Sequence, residues 1–201
     1  MSTSDRSDSL VLASSSPRRH EILTRLGLPF ETVHPFPDDD PADHRPAEQF
    51  ARELAERKAR SVADQPAYRH RLVLGADTVV ADDRGILLKP ADRRDARRML
   101  IRLSGATHRV VTALALVGSS SRARVEATST AVTFAALSEV EIEWYLDTGE
   151  WQGVAGAYRI QERGEALVER VAGPYSAVVG LPIRLLCSML WRTGYPCFSH
   201  R

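Results

Sequence analysis

The sequence predicts an α/β protein in which a mixed, twisted sheet is flanked by helices and arranged in two lobes. Apolar segments of strand length alternate with helical patterns in the first half of the chain, which is typical of strands joined by helical crossovers. Two long β segments follow in the middle, where hairpins add antiparallel strands. With 201 residues, the chain has the length of one large domain.

The first predicted strand and helix are joined by a short serine run. Leu10–Ala13 is apolar and has the length of a buried strand, whereas residues 1–9 are polar and are expected to form a flexible N-terminus. Ser16 suits the N-cap of the following helix, and Pro17 suits its first position. Gly27 is a typical residue to end that helix.

A second helix and a hairpin follow a loop at 35–46 that is rich in proline and aspartate. The helix is predicted at 47–62, because apolar residues and alanines recur there at helical spacing. Leu72–Val80 is a strongly apolar strand with one carboxylate in its middle. A turn at 82–85 then leads to a returning strand at Ile86–Lys89.

The second half of the chain combines a long hairpin with short closing elements. Apolar periodicity predicts a helix at 92–103, and a capping box of Ser138 and Glu141 begins another helix that runs to Gly149. The remaining predicted elements are strands at 107–117, 124–134, 157–161 and 166–171 and a closing helix at 181–191.

The composition argues against several classes of protein. The chain is 43% hydrophobic and carries a net charge of +1, which does not fit a nucleic-acid binder with a broad basic face. Its longest apolar segment, Val178–Trp191, is broken by Arg184 and is shorter than the ~20 residues that a membrane span needs. No secretory signal is visible. We therefore expect a cytoplasmic protein, with one domain at 10–195 and a C-terminal tail at 196–201.

Familiar metal and nucleotide motifs do not occur in the sequence. Two cysteines, Cys187 and Cys197, are too few for a disulfide framework. The patterns CxxC, HExxH and GxxxxGKS/T are missing, which argues against structural zinc and against a P-loop.

The serine run and the helix that follows it are the first candidate binding site. A strand that ends in small hydroxyl residues and opens a helix presents backbone N–H groups to an anion. Arg18 and Arg19 lie in the first turn of that helix, where the helix dipole disfavours cations unless a polyanion is bound. The pattern predicts a phosphate site. The alternative is a capped helix with a solvated basic turn.

The second candidate is Asp77, a carboxylate within an apolar strand. Burial of a carboxylate is costly unless the group is paired, bound to metal or placed at a cleft. The hairpin register sets Thr78 opposite Lys89, so Asp77 and Lys89 are expected to be neighbours. Of 27 basic residues, only Lys89 and Lys58 are lysines. Lys58 continues the apolar stripe of its helix, and it either snorkels from the core edge or reaches into a cleft.

The third candidate is the predicted strand at 157–161. Alternation places Arg159 and Gln161 on one face of it. A lone glutamine is usually a surface residue, so only its context gives Gln161 a function.

Six motifs occur in one order along the chain: SSSPRR, GADTVV, KP, LSGATH, GEWQGVAGAYRIQ and YSAVVGLP. In this order they closely resemble the Maf family of nucleotide pyrophosphatases, from Leu10 to about Leu190. The resemblance implies a Maf/ITPase-like α/β fold with a deep cleft and a homodimer. It further implies hydrolysis of nucleoside triphosphates to the monophosphate and pyrophosphate, with a divalent metal cofactor, Mg²⁺ or Mn²⁺.

The resemblance also implies roles for individual residues. Asp77 matches the family's proposed proton acceptor, and a role as metal ligand stays open for it. Arg18, Thr78 and Gln161 match three positions that are tied to substrate choice, and all three are the residues of the dTTP/UTP branch. The other polar positions of the family's cleft correspond to Ser14, Arg19, Lys58 and Lys89.

Three departures from the family pattern concern the chemistry more than the fold. Gly153 and Val154 replace a common Asp-Lys pair, and Glu162 replaces the usual glycine. A further family acid has only the aspartate run at 38–40 as its counterpart. Two other functions stay open, namely house-cleaning hydrolysis of modified nucleotides and a non-catalytic, nucleotide-binding regulator of cell division.

Overall fold

The computed structural model describes residues 10–36, 45–118 and 122–195. The predicted N-terminal segment, the predicted tail and Cys197 lie outside these ranges. The strands are β1 (Leu10–Ala13), β2 (Phe30–Val33), β3 (Val73–Asp82), β4 (Gly85–Leu87), β5 (Thr107–Val117), β6 (Arg124–Phe134) and β7 (Val168–Ala172). The helices are α1 (Pro17–Arg25), α2 (Ala47–Ala63), α3 (Arg93–Leu103), α4 (Glu139–Asp147), α5 (Tyr175–Val179) and α6 (Ile183–Trp191).

The strands form one mixed sheet in the order β2-β1-β3-β5-β6-β7. β4 pairs with the last three residues of β3, Val80–Asp82. The pairs of β1 with β2 and with β3 are parallel, whereas β3, β5, β6 and β7 follow one another antiparallel. The predicted mixed sheet flanked by helices is therefore confirmed.

One stretch of β3 has an open edge. β1 pairs with β3 only as far as Gly75, and β4 begins to pair with it at Val80. Within the described residues, positions 76–79 therefore lack a neighbouring strand on that side, while β5 continues to pair with them on the other. Because side chains alternate along a strand, an open edge allows residues from both faces of β3 to reach one cleft.

Helix α2 packs directly on the backbone of β3. A Cβ atom at Gly75 would lie 2.3 Å from the carbonyl oxygen of Ala55 and 2.7 Å from the amide nitrogen of Ala59. Buried residues of α2, including Phe50, form one hydrophobic cluster with the facing side chains of β1, β3 and β5. A second and larger cluster fills the opposite face of the sheet. The glycine therefore sets how closely α2 approaches the middle of the sheet.

The segment at 157–161 is not a strand, so this prediction is wrong. It follows a short 3-10 helix at Ala155–Ala157, and a second 3-10 helix occupies Arg163–Leu167. Gly156 and Ala157 both have positive φ, 72° and 61°, a left-handed conformation that does not continue into a strand. β7 pairs with β6 from Val168 onward, which shortens the strand predicted at 166–171 at its start.

Three other predictions need smaller corrections. The first helix ends at Arg25, just before the predicted stop at Gly27. The edge strand β2 was not predicted, because it is only four residues long. The returning strand of the hairpin ends at Leu87, before Lys89.

The closing helix at 181–191 is shorter than expected and has a separate neighbour. Gly180, at a φ of 117°, ends α5, and Pro182 caps the start of α6. The longest apolar segment is thus divided between two short helices. None of the helices in the described ranges is long and apolar enough to cross a membrane.

Candidate active site

A cavity of about 420 Å³ lies at the open edge of β3, where residues 76–79 have no strand beside them on one side in the described part of the chain. Its walls come from the start of α1, one side of α2, the segment after β4, the irregular segment around 152–161 and the end of α5. This volume is in the range of small-molecule sites. All eight residues that the sequence singled out line the cavity: Ser14, Arg18, Arg19, Lys58, Asp77, Thr78, Lys89 and Gln161.

Asp77 is a nearly buried carboxylate, 8% exposed, and forms an ion pair with Lys58. Lys58 Nζ lies 2.5 Å from Asp77 Oδ1, and the two side chains are 18% and 11% exposed. The close packing of α2 on Gly75 brings the lysine to the carboxylate. Of the two alternatives for Lys58, the structure therefore has the one in which it reaches into a cleft.

The hairpin register predicted that Asp77 and Lys89 are neighbours, but the ion pair of Asp77 is with Lys58. The ladder between β3 and β4 ends at the pair of Val80 and Leu87, so no register extends to Lys89. Lys89 nevertheless lines the same cavity.

The Arg19 guanidinium is held by three parts of the chain. Its Nε donates to the carbonyl of Gly180 at 2.9 Å, Nη1 donates to Ser14 Oγ at 3.2 Å and Nη2 donates to Thr78 Oγ1 at 3.3 Å. Burial lowers the pKa of Arg19, and the charge of Asp77 acts in the opposite direction. Since every nitrogen has a protein acceptor, Arg19 is suited to fix the shape of the cavity.

The Thr78 hydroxyl belongs to a directed chain of hydrogen bonds. Thr112 Oγ1 donates to the carbonyl of Ala177 at 2.7 Å, which uses its only proton. The 3.0 Å contact between Thr78 and Thr112 therefore has Thr78 as its donor. Thr78 in turn accepts from Arg19. Toward a ligand, Thr78 has only a remaining acceptor site.

Arg18 differs from its neighbour, because within the described ranges its guanidinium donates no hydrogen bond to the protein. Burial lowers the pKa of Arg18, the nearby charge of Arg159 lowers it further, and Glu162 acts in the opposite direction. Two arginines that repel each other in a cavity wall favour a bound anion between them. Ser16 occupies the N-cap of α1, as predicted, but its side chain makes no capping bond. The start of the helix is therefore available to the same anion.

Gln161 lines the cavity from the irregular segment. Its Nε2 atom is buried and has no hydrogen-bond partner among the described residues. An unpartnered buried donor is costly, so its presence in a cavity wall indicates a polar ligand.

The charges of the cavity wall are unbalanced. Asp77 is the one carboxylate among the described lining residues, against five cations: Arg18, Arg19, Lys58, Lys89 and Arg159. No group of three or more histidine, cysteine, aspartate or glutamate side chains in the described part of the chain is arranged to hold a metal ion. The residues 38–40 lie outside that part. Asp77 alone suits an ion that completes its ligands with phosphate oxygens and water, as Mg²⁺ commonly does.

Some residues of the site were not predicted, and others carry the departures noted above. Four residues to which the sequence analysis gave no role hold the cavity wall in place: Thr112, Tyr145, Tyr158 and His108. Thr112 and His108 could have been noticed in the sequence, because each is a polar residue within the apolar β5 segment. Gly153 and Val154 line the cavity, and Glu162 is exposed next to Gln161. Val154 is thus an apolar residue in the wall, at a position where the family resemblance implied a cation.

Comparisons with known proteins agree with this architecture. The family model described as Maf-like protein matches residues 9–193. A dTTP/UTP pyrophosphatase of Symbiobacterium thermophilum is 45% identical over 190 residues, 94% of this chain and 96% of the relative. One of Sphingopyxis alaskensis is 44% identical, over 93% and 97%. The solved structure of the Staphylococcus aureus Ham1 protein shares the fold, with a TM-score of 0.52 at 12% identity over 92% of this chain and 99% of that one. The chain therefore belongs to the Maf-like protein family.

Proposed function

We propose that this protein is a nucleoside triphosphate pyrophosphatase that hydrolyses dTTP and UTP to the nucleoside monophosphate and pyrophosphate. The observation that carries the proposal is one nearly buried carboxylate, Asp77, set among five cations in a cavity of nucleotide size. Relatives at 44–45% identity are named dTTP/UTP pyrophosphatases.

The cationic part of the wall is the binding site for the triphosphate in this proposal. Arg18 has no protein acceptor in the described ranges, and it lies near Arg159 and the start of α1. Lys89 adds a compact positive charge from the segment after β4. Arg19 is committed to Gly180, Ser14 and Thr78, so it holds the wall in place and contributes its charge at a distance.

The reaction requires water to attack the α-phosphorus while pyrophosphate leaves. The new bond joins the water oxygen to the α-phosphorus, and the bond from that phosphorus to the β-phosphate oxygen breaks. Asp77 accepts the proton that the water loses, and Lys58 holds the carboxylate in its orientation. Charge that develops on the phosphate oxygens is stabilised by the surrounding cations, which is the main source of catalysis in phosphoryl chemistry.

A divalent cation, Mg²⁺ or Mn²⁺, fits the same site. Asp77 would supply its protein ligand, and phosphate oxygens and water would complete the set. When bound, such an ion neutralises phosphate charge and lowers the pKa of its water ligands.

Gln161 is the proposed contact to the base. Its unpartnered Nε2 donates to a carbonyl of thymine or uracil, and its amide oxygen accepts the neighbouring N3–H. Adenine offers the reverse order. Guanine offers the same order at O6 and N1–H, so discrimination against GTP would rest on the larger size of the purine. A mismatched hydrogen bond in a buried site lowers kcat/KM for the wrong nucleotide about tenfold to a hundredfold.

Pyrophosphate release across a panel of dTTP, UTP, CTP, GTP and ATP, with Mg²⁺ and with Mn²⁺, tests the proposal. We expect dTTP and UTP to be cleaved at least about tenfold better than ATP and GTP. A preference for a purine triphosphate would contradict the pyrimidine assignment alone. Nucleotide binding without pyrophosphate release under either metal would contradict the catalytic function and favour a regulator.

A further inference from the structure

The segment that carries Gln161 does not hold itself in place. Residues 157–161, here called the recognition segment, pair with no strand in the described part of the chain and are not helical beyond the first residue. Ala157 enters it at a φ of 61°, a conformation that is strained for any residue with a side chain. The direction of the Gln161 amide therefore depends on contacts with other elements.

Three hydroxyl groups take part in those contacts, and the longest of these bonds runs from the Tyr175 hydroxyl to the carbonyl of Ile160 at 3.5 Å. The backbone N–H of Arg159 donates to the Tyr145 hydroxyl of α4 at 3.0 Å. The Tyr158 hydroxyl lies 2.8 Å from Nε2 of His108 on β5. Phe134 packs edge-on against both rings of that pair, with centroid distances of 5.1 Å to His108 and 4.8 Å to Tyr158.

His108 is a polar side chain at a fully buried position, which is unfavourable for stability. It is 1% exposed, and its Nδ1 atom has no hydrogen-bond partner in the described part of the chain. Burial lowers its pKa to about 4, so the ring is neutral at pH 7. An apolar ring would fill the same place without an unpaired nitrogen. The hydrogen bond to Tyr158 is therefore the feature that distinguishes histidine from an apolar ring at this position.

We propose that His108 is a positioning residue for base recognition, which acts through the Tyr158 hydroxyl to fix the recognition segment and, with it, the Gln161 amide. His108 itself does not line the cavity, whereas Tyr158 and Gln161 do. The inference rests on the proposed function, because it assumes that Gln161 contacts a pyrimidine base.

The test compares binding of a whole nucleotide with binding of its phosphate portion alone. Calorimetry measures the dissociation constants of a non-hydrolysable α,β-imido analogue of dTTP and of tripolyphosphate. The variants are His108→Phe, His108→Gln and the double variant His108→Phe/Tyr158→Phe. The double variant removes both polar ends of the pair, so it is expected to fold with a melting temperature close to that of the wild type. Val132→Ala is the matched control, since Val132 is buried directly opposite His108 in the sheet and makes no contact of this kind.

We expect His108→Phe and the double variant to bind the dTTP analogue about tenfold more weakly, while tripolyphosphate binding stays within about twofold. His108→Gln should recover most of the loss, because its amide can replace Nε2. Val132→Ala should lower the melting temperature and leave both dissociation constants unchanged.

The proposal is overturned if the folded double variant binds the analogue like the wild type. It is also overturned if tripolyphosphate binding weakens in parallel, or if Val132→Ala has the same effect as His108→Phe. Failure of the proposed function has a different signature, namely wild-type protein that binds the analogue but releases no pyrophosphate from dTTP.

Discussion

Replacement of Asp77 by asparagine separates the chemical role of this residue from its structural role. The amide is nearly isosteric with the carboxylate but neither accepts a proton nor ligates a metal as an anion. General-base contributions are about 10²–10⁴-fold, so we expect kcat to fall by at least about 10²-fold. Phosphate binding should change in the opposite direction. Loss of one negative charge near the phosphates is worth about 1 kcal/mol, which corresponds to about fivefold tighter binding of tripolyphosphate.

The same substitution should destabilise the protein by a limited amount. Removal of one partner from a fully buried ion pair costs about 3–5 kcal/mol. The side chains of Lys58 and Asp77 are 18% and 11% exposed and face a cavity, so solvent screens part of this cost. We expect about 1–3 kcal/mol, or a decrease of roughly 3–10 °C in melting temperature for a chain of this size.

A double variant, Asp77→Asn/Lys58→Met, serves as the control. It removes the unpaired ammonium, so stability should return toward that of the wild type while turnover stays lost. Pyrophosphate release, calorimetry with tripolyphosphate and thermal melts on the three proteins complete the assay. Turnover of Asp77→Asn within tenfold of the wild type would refute both roles considered for this carboxylate, whatever its stability.

Three further predictions concern binding, base choice and packing. Arg18→Ala should raise KM for dTTP and reduce its dependence on ionic strength, because one charge that contacts phosphate is lost; an equal loss of affinity for thymidine alone would instead place Arg18 on the base. Gln161→Glu should reduce the ratio of kcat/KM for dTTP over ATP by replacing the donor with a second acceptor, and an unchanged ratio would contradict the base contact. Gly75→Ala should destabilise the fold by at least about 2 kcal/mol in chemical denaturation, because its Cβ would lie 2.3 Å from the Ala55 carbonyl oxygen. Gly118→Ala is the matched control, since the nearest atom to its added Cβ is a leucine methyl at 3.6 Å, and an equal loss in both variants would disprove the packing argument.

The charged residues of the cavity were predictable from sequence because each one conflicts with its local environment, whereas Ser14, Thr78 and Gln161 were predicted from the family resemblance. A carboxylate in an apolar strand, two arginines in the first turn of a helix and two lysines in an arginine-rich chain all indicate a charged cleft. The structure brings all of these residues to one cavity. Their pairing was not predictable in the same way. Lys58 reaches Asp77 because α2 packs on Gly75. The local sequence pattern around either residue does not predict that α2 and β3 meet at this point.

The recognition segment shows where pattern analysis fails. Its alternation of buried and half-buried positions resembles a strand. Its backbone, however, passes through two left-handed residues, and it is held by the His108 imidazole of β5 and the Tyr145 hydroxyl of α4. Such contacts join residues that are 14 and 50 positions apart in the chain. Local periodicity contains no information about them, so His108 and Tyr145 were identified only in the folded structure.

Hydrolysis of dTTP in ¹⁸O-labelled water tests the central claim most directly. Mass spectrometry of the products reports which phosphorus the water attacks. The proposed mechanism predicts dTMP that carries one ¹⁸O atom and pyrophosphate that carries none, because the oxygen of water joins the α-phosphorus. Label in pyrophosphate, or formation of dTDP and inorganic phosphate, would contradict the mechanism and the assignment of Asp77 to water at the α-phosphorus.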